Sequence, residues 1–92
     1  MPAVVIARHL FTFFPGLRDR DLQVPGETVA EVIQEVDRLA PGFADYVLDE
    51  RGALRMHVNA FVGQEAVVDR EALSDPVPPE ATVHIFQALS GG

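Results

Sequence analysis

Cysteine is absent from this chain, and so is lysine. Without cysteine the fold has no disulfide, and the chain has no thiol nucleophile, no persulfide site and no thiolate metal ligand. If it handles sulfur, another atom must carry it. All seven basic residues are arginine, so no side-chain amine can accept an isopeptide bond. A codon bias toward arginine explains this equally well, with the same chemical consequence. Basic residues are also few. The formal charge is -7, which argues against a nucleic-acid partner, whose phosphates call for clustered Lys and Arg. An acidic surface fits a partner with a basic docking face, and it also serves solubility. No apolar run approaches the roughly 18–20 residues of a membrane span. No basic region precedes the apolar N-terminal residues, so no signal peptide is read and a soluble, cytoplasmic protein is expected. There is no nucleophile–base constellation and no phosphate loop, hence no catalytic residue is assigned. His9, His57 and His84 are widely separated in sequence without close carboxylates, so no metal site is assigned. The carboxylate pairs Asp49-Glu50 and Asp69/Glu71 fall in predicted turns.

What is present is a single domain over residues 1–92, 48% hydrophobic. Ala3–Phe14, rich in β-branched and aromatic side chains, reads as a first strand broken by Pro15-Gly16. Arg18 to Asp21 reads as a loop. Leu22-Gln23-Val24 reads as a short strand completing a hairpin. Val29, Val32, Ile33, Val36 and Leu39 form one apolar helical stripe, predicting a helix over about 28–40. Thr28 and Glu31 make a capping box at its start, and Ala40-Pro41-Gly42 stops it. Residues 41–53 form a longer connection, where Phe43, Tyr46, Val47 and Leu48 make either a turn of helix or a packed loop. Leu54, Met56, Val58, Ala60 and Val62 alternate with Arg55, His57, Asn59 and Phe61, the period of a strand with one buried face. Gly63-Gln64-Glu65 reads as a turn and Ala66-Val67-Val68 as a short strand. Asp75-Pro76 and Pro78-Pro79 mark a rigid loop. Thr82–Phe86 is the last strand, followed by a flexible tail, residues 87–92.

One amphipathic helix must cover one face of one sheet, because nothing else is long enough to do so. The order predicts an α+β fold of the β-grasp, ubiquitin-like kind. It has a mixed sheet of 4–5 strands with one main helix on one face. The last strand, beside the first, sits centrally and points the tail into solvent.

The tail ends in Gly91-Gly92. At average glycine usage this has a chance likelihood of roughly 0.5%. The segments Val24-Pro25-Gly26-Glu27-Thr28-Val29, His57 to Gly63 and Val83 to Gly92 together resemble the MoaD/ThiS family of sulfur carriers, relatives of ubiquitin. Two departures are visible: Glu80-Ala81-Thr82 replaces the Gly-Asp of many members, and Gln87-Ala88 stands where a proline is frequent. The resemblance implies a carrier or substrate of partner enzymes, with no catalytic site of its own. An E1-like adenylating enzyme would use ATP to activate the Gly92 carboxylate. A sulfur donor would displace AMP, and the resulting thiocarboxylate would pass sulfur to an acceptor on a second, downstream enzyme. No cofactor is bound, since ATP belongs to the partner. Biosynthesis of a molybdopterin-type cofactor, with the chain as small subunit of a synthase, and cysteine biosynthesis both stay open. So do two other readings: a ubiquitin-like modifier conjugated through Gly92, and a non-covalent interaction module. Glycine suits the tail because a carboxylate threaded into a narrow active site tolerates no Cβ. Phe61, Phe86 and Leu89 are the candidate docking anchors. The alternative is that residues 41–53 fold over that face and bury its aromatics.

Overall fold

The computed structural model describes residues 1–7, 14, 17 and 22–87. Strands β1 (Ala3–Ile6) and β2 (Leu22–Gln23) are followed by helices α1 (Val29–Leu39) and α2 (Phe43–Val47). Then come strands β3 (Val58–Val62), β4 (Glu65–Ala66) and β5 (Thr82–Gln87). The sheet order is β2-β1-β5-β3-β4. The last strand is therefore central, parallel to β1 and antiparallel to β3. β1 and β2 pair antiparallel, as the predicted hairpin requires. This mixed five-stranded sheet with its packed helix is the β-grasp arrangement.

Helix α1 begins where the sequence places it. The Thr28 hydroxyl accepts the Glu31 N–H at 3.2 Å, and the Glu31 carboxylate accepts the Glu27 N–H at 2.9 Å. The proline-rich loop adds two more acceptors: the Asp75 and Leu73 carbonyls take the Val29 and Ala30 N–H groups at 3.1 and 3.0 Å. The first free donors of the helix are thus satisfied by a side chain and by a distant loop. Gly26 makes the close approach possible, because a Cβ there would stand 2.9 Å from Cγ2 of Val32.

Val29, Val32, Ile33 and Val36 are fully buried, but Leu39 is 46% exposed. The buried position is Ala40 instead. At about 100° per residue, position 40 lies within roughly 20° of Val29, whereas position 39 lies roughly 80° away. The apolar stripe therefore ends on the small residue.

Strand bounds differ from those predicted: β2 lacks Val24, and of the predicted strand 66–68 only Ala66 belongs to β4. β1 covers Ala3–Ile6, and of the remaining predicted strand only Ala7 and Phe14 are described, neither as strand. β3 begins at Val58, so the nine-residue alternation includes a turn. Val58 N–H donates to the Arg55 carbonyl at 3.0 Å, and Met56, predicted to face the core, is 93% exposed. Leu54 is buried and bridges Leu48. A guanidinium explains the early break. Arg70 Nη2 donates to the carbonyls of Arg55 and Val58, each at 2.7 Å. The Arg55 carbonyl, which also accepts the Val58 N–H, is thereby held in the turn that precedes the strand. Glu65, read as a turn residue, pairs with Val62 across the two-residue Gly63-Gln64 loop. Gln87, assigned to the tail, is the last residue of β5; residues 88–92 lie outside the described residues.

The core lies between the sheet and the helices. Val4, Ile6, Val58, Ala60, Val83 and Ile85 supply the sheet side, and Phe43 and Val47 of α2 are fully buried in the same cluster. No helix among the described residues is long and apolar enough to cross a membrane.

Candidate functional site: the outer face of the sheet and the end of its central strand

Alternation along β5 sends Val83 and Ile85 into the core and Thr82, His84 and Phe86 to the opposite face. Register then assembles that outer face from neighbouring strands. Val5 pairs with His84, Phe61 with His84 from the other side, and Asn59 with Phe86. Phe61 and Phe86 are diagonal neighbours across β3 and β5. Their rings stack at 5.6 Å between centroids with an interplanar angle of 16°. Both are half-buried. Beside them Val5 is 50% exposed. The sequence signal for Val5 was the unbroken run Val4-Val5-Ile6, in which one of three apolar residues must face outward.

Residues 41–53 do not cover this face. Phe43, Val47, Leu48 and Leu54 are buried in the core on the α1 side. The two faces carry very different charge. The chain has 14 carboxylates, yet the outer-face positions Val5, Asn59, Phe61, Thr82, His84 and Phe86 include none. The result is an aromatic surface with no carboxylate at these strand positions, on an acidic molecule.

Arg55 and His57, expected on this face, precede β3. The Arg55 guanidinium donates to the Asp45 carbonyl through Nε at 3.3 Å and Nη2 at 3.0 Å, and His57 is exposed in the turn. His84 lies mid-strand and His9 lies outside the described residues. Among the described residues no three His, Cys, Asp or Glu side chains converge.

The carboxylates of the turns are structural. N–H groups of Glu71, Ala72 and Ser74, and the Ser74 hydroxyl at 2.6 Å, all donate to Asp69. The Ala72 N–H and the Ser74 hydroxyl hold its carboxyl down to about 2. Asp49 is lowered chiefly by the Arg51 N–H. Both groups are acceptors poised to stay ionised, the opposite of a proton-transfer residue.

The predicted reactive residues, Gly91 and Gly92, and the candidate anchor Leu89 lie outside the described residues. The structure describes the strand up to Gln87. The Gln87 Oε1 accepts the Tyr46 hydroxyl at 3.1 Å, a contact between α2 and the end of β5 that sequence reasoning missed. Its only signal was an aromatic residue in a connection that reads as a turn of helix or a packed loop.

No family model and no curated protein matches the chain. Solved structures do. A chain of the Amycolatopsis orientalis BexX/CysO complex is 25% identical, covers all of both chains and superposes with a TM-score of 0.83. Mycobacterium tuberculosis CysO, an antigen, is 23% identical over 97% of this chain and all of its own, with a TM-score of 0.82. The small archaeal modifier protein 1 of Haloferax volcanii is 20% identical over 95% of each chain, with a TM-score of 0.71. These matches place the chain, in fold, with the ubiquitin-like sulfur-carrier and modifier proteins of the MoaD/ThiS type.

Proposed function

We propose that this chain is a sulfur-carrier protein that works through the carboxylate of Gly92. A partner adenylating enzyme of the E1-like kind joins that carboxylate to AMP and releases pyrophosphate from ATP. A sulfur donor then displaces AMP, and the terminal thiocarboxylate attacks an acceptor held by a second enzyme. The chain is substrate and carrier, binds no cofactor itself, and acts in the cytoplasm. Its product is a sulfur-containing cofactor or amino acid. The observation that carries this reading is the central β5, flanked on both sides, with Gly91 and Gly92 four and five residues after its last member in sequence. The full-length likeness to a chain of the BexX/CysO complex supports it, and supports a protein partner.

The test is the intact mass of the protein purified from its own host. One terminal oxygen replaced by sulfur is the expected result. A free carboxylate in every preparation, with no adenylation by the host's E1-like enzymes, rejects it. The likeness to a modifier protein favours one second reading, conjugation to target lysines through Gly92. Attachment to other proteins, abolished by deleting Gly92, is its signature.

We further propose that Phe61 and Phe86, with Leu89 from the tail and Val5 beside them, dock the partner enzymes. An aromatic patch free of carboxylates on a small acidic domain is the kind of surface an interface covers. Phe61→Ala or Phe86→Ala should weaken binding to the adenylating enzyme by about tenfold or more, as buried aromatic anchors do. Circular dichroism should show the fold retained. Unchanged affinity in both variants removes the patch from the docking surface.

A further inference from the structure

Gln87 ends β5, and its side chain is tied to an element 41 residues earlier in the sequence. The partner in that tie, Tyr46, belongs to α2, and α2 is fastened from three directions. Asp37, in the last turns of α1, accepts the N–H groups of Gly42 at 3.1 Å and Ala44 at 2.9 Å. Gly42, at a φ of 98°, makes the tight turn between the helices. The Arg55 guanidinium holds the Asp45 carbonyl near the other end. The Phe14 ring stands edge-on to both Phe43 and Tyr46, at 5.6 and 5.7 Å. A five-residue helix has little stability of its own, so these ties hold it in place. They present the Tyr46 hydroxyl to the end of the central strand from a fixed support.

The backbone at this point is held by β3, through Val58↔Gln87. The side-chain tie adds a second restraint at the same residue. We infer that Tyr46 is a positioning residue for the tail: it fixes the direction in which the chain leaves β5. This rests on the carrier reading above. Five residues beyond Gln87 span up to about 17 Å, so a rotation of roughly 20° at the root moves an extended end by about 6 Å. Misplacement of about 1 Å already slows reactions between positioned groups. The hydrogen bond therefore acts on the frequency with which the carboxylate meets ATP. The affinity of the docked domain is set elsewhere, on the outer face.

The experiment compares the full chain with Tyr46→Phe, Gln87→Ala and the double variant in ATP–pyrophosphate exchange by the host adenylating enzyme. Tyr46→Phe keeps the ring against Phe14 and removes only the hydroxyl. Its kcat should fall roughly three- to tenfold, the effect of one hydrogen bond, with KM for the carrier unchanged. Gln87→Ala should lose as much, and the double variant no more than either single one. The Gln87 side-chain amide resonances should shift in Tyr46→Phe while Tm stays constant. A kcat equal to wild type, a rise in KM alone, additive losses, or a loss that follows Tm overturns the assignment. A wild-type chain that no host enzyme adenylates rejects the carrier reading and the role of Tyr46 with it. An active wild type with an equally active Tyr46→Phe rejects the clamp alone.

Discussion

Arg70 shows how one side chain can decide where a strand starts. Its guanidinium reaches the carbonyls of Arg55 and Val58 and lies 3.5 Å from Asn59 Oδ1, while its own carbonyl accepts the Leu54 N–H at 2.7 Å. Each bond to a charged donor contributes about 1.5–3 kcal/mol, and solvent at this half-buried site lowers the sum. Arg70→Ala should cost about 2–3 kcal/mol in urea unfolding. Arg70→Lys should recover little, since an ammonium cannot span two carbonyls as a planar fork does. A neutral Arg70→Ala would mean the turn at 55–58 holds without it. Asp69 makes a different prediction, because its folded pKa lies below its unfolded value. The folded state then binds fewer protons, so the group stabilises the fold above about pH 4 and the contribution vanishes as pH falls toward 2. NMR titration of the Asp69 carboxyl should give a midpoint near 2, and Asp69→Asn should flatten the acid limb of the stability profile. A midpoint near 4 would contradict the hydrogen-bonded loop.

Helix α1 was legible because its signals are local. Thr28 and Glu31 are three residues apart, and the capping contact needs nothing beyond them. Thr28→Ala should lower stability by about 1 kcal/mol, measured by denaturant midpoint. Leu39→Ala, at an exposed position the stripe seemed to claim, should stay within about 0.5 kcal/mol. A large loss at Leu39 would place it back in the core. The β3 region was half legible for the opposite reason. Alternation from Leu54 to Val62 is real in sequence, but a period of two does not say whether the chain stays extended. Met56 turned outward because a distant guanidinium bound the carbonyls on either side of it. In sequence, helix α2 reads equally as a turn of helix or a packed loop, since five residues carry too short a pattern for its period to show. Asp37 and Arg55, both outside α2, hold it in helical form.

At the level of the molecule, the two faces of the sheet divide the work. One is sealed by α1, α2 and the proline-rich loop. The other, among the described residues, carries the stacked aromatic pair and no carboxylate at its strand positions. With no lysine in these 92 residues, a thiocarboxylated or adenylated chain can donate itself but offers no side-chain amine to receive another copy. Incubation with ATP and its activating enzyme should therefore produce no chain-to-chain conjugate through a side-chain amine, judged by peptide mapping. A mapped cross-link of that kind would refute it.

By itself, the sequence determined the capped helix, the strand order, the absence of thiol and amine chemistry, and a glycine pair beyond the final strand. These depend on composition and on contacts within a few residues, which a linear reading can follow. The central place of the last strand was also expected, and the sheet order bears it out; only the tertiary structure decided that residues 41–53 leave Phe61 and Phe86 uncovered, and that Tyr46 meets Gln87. Those contacts join residues tens of positions apart, and burial of the shared core, which no local pattern specifies, brings them together.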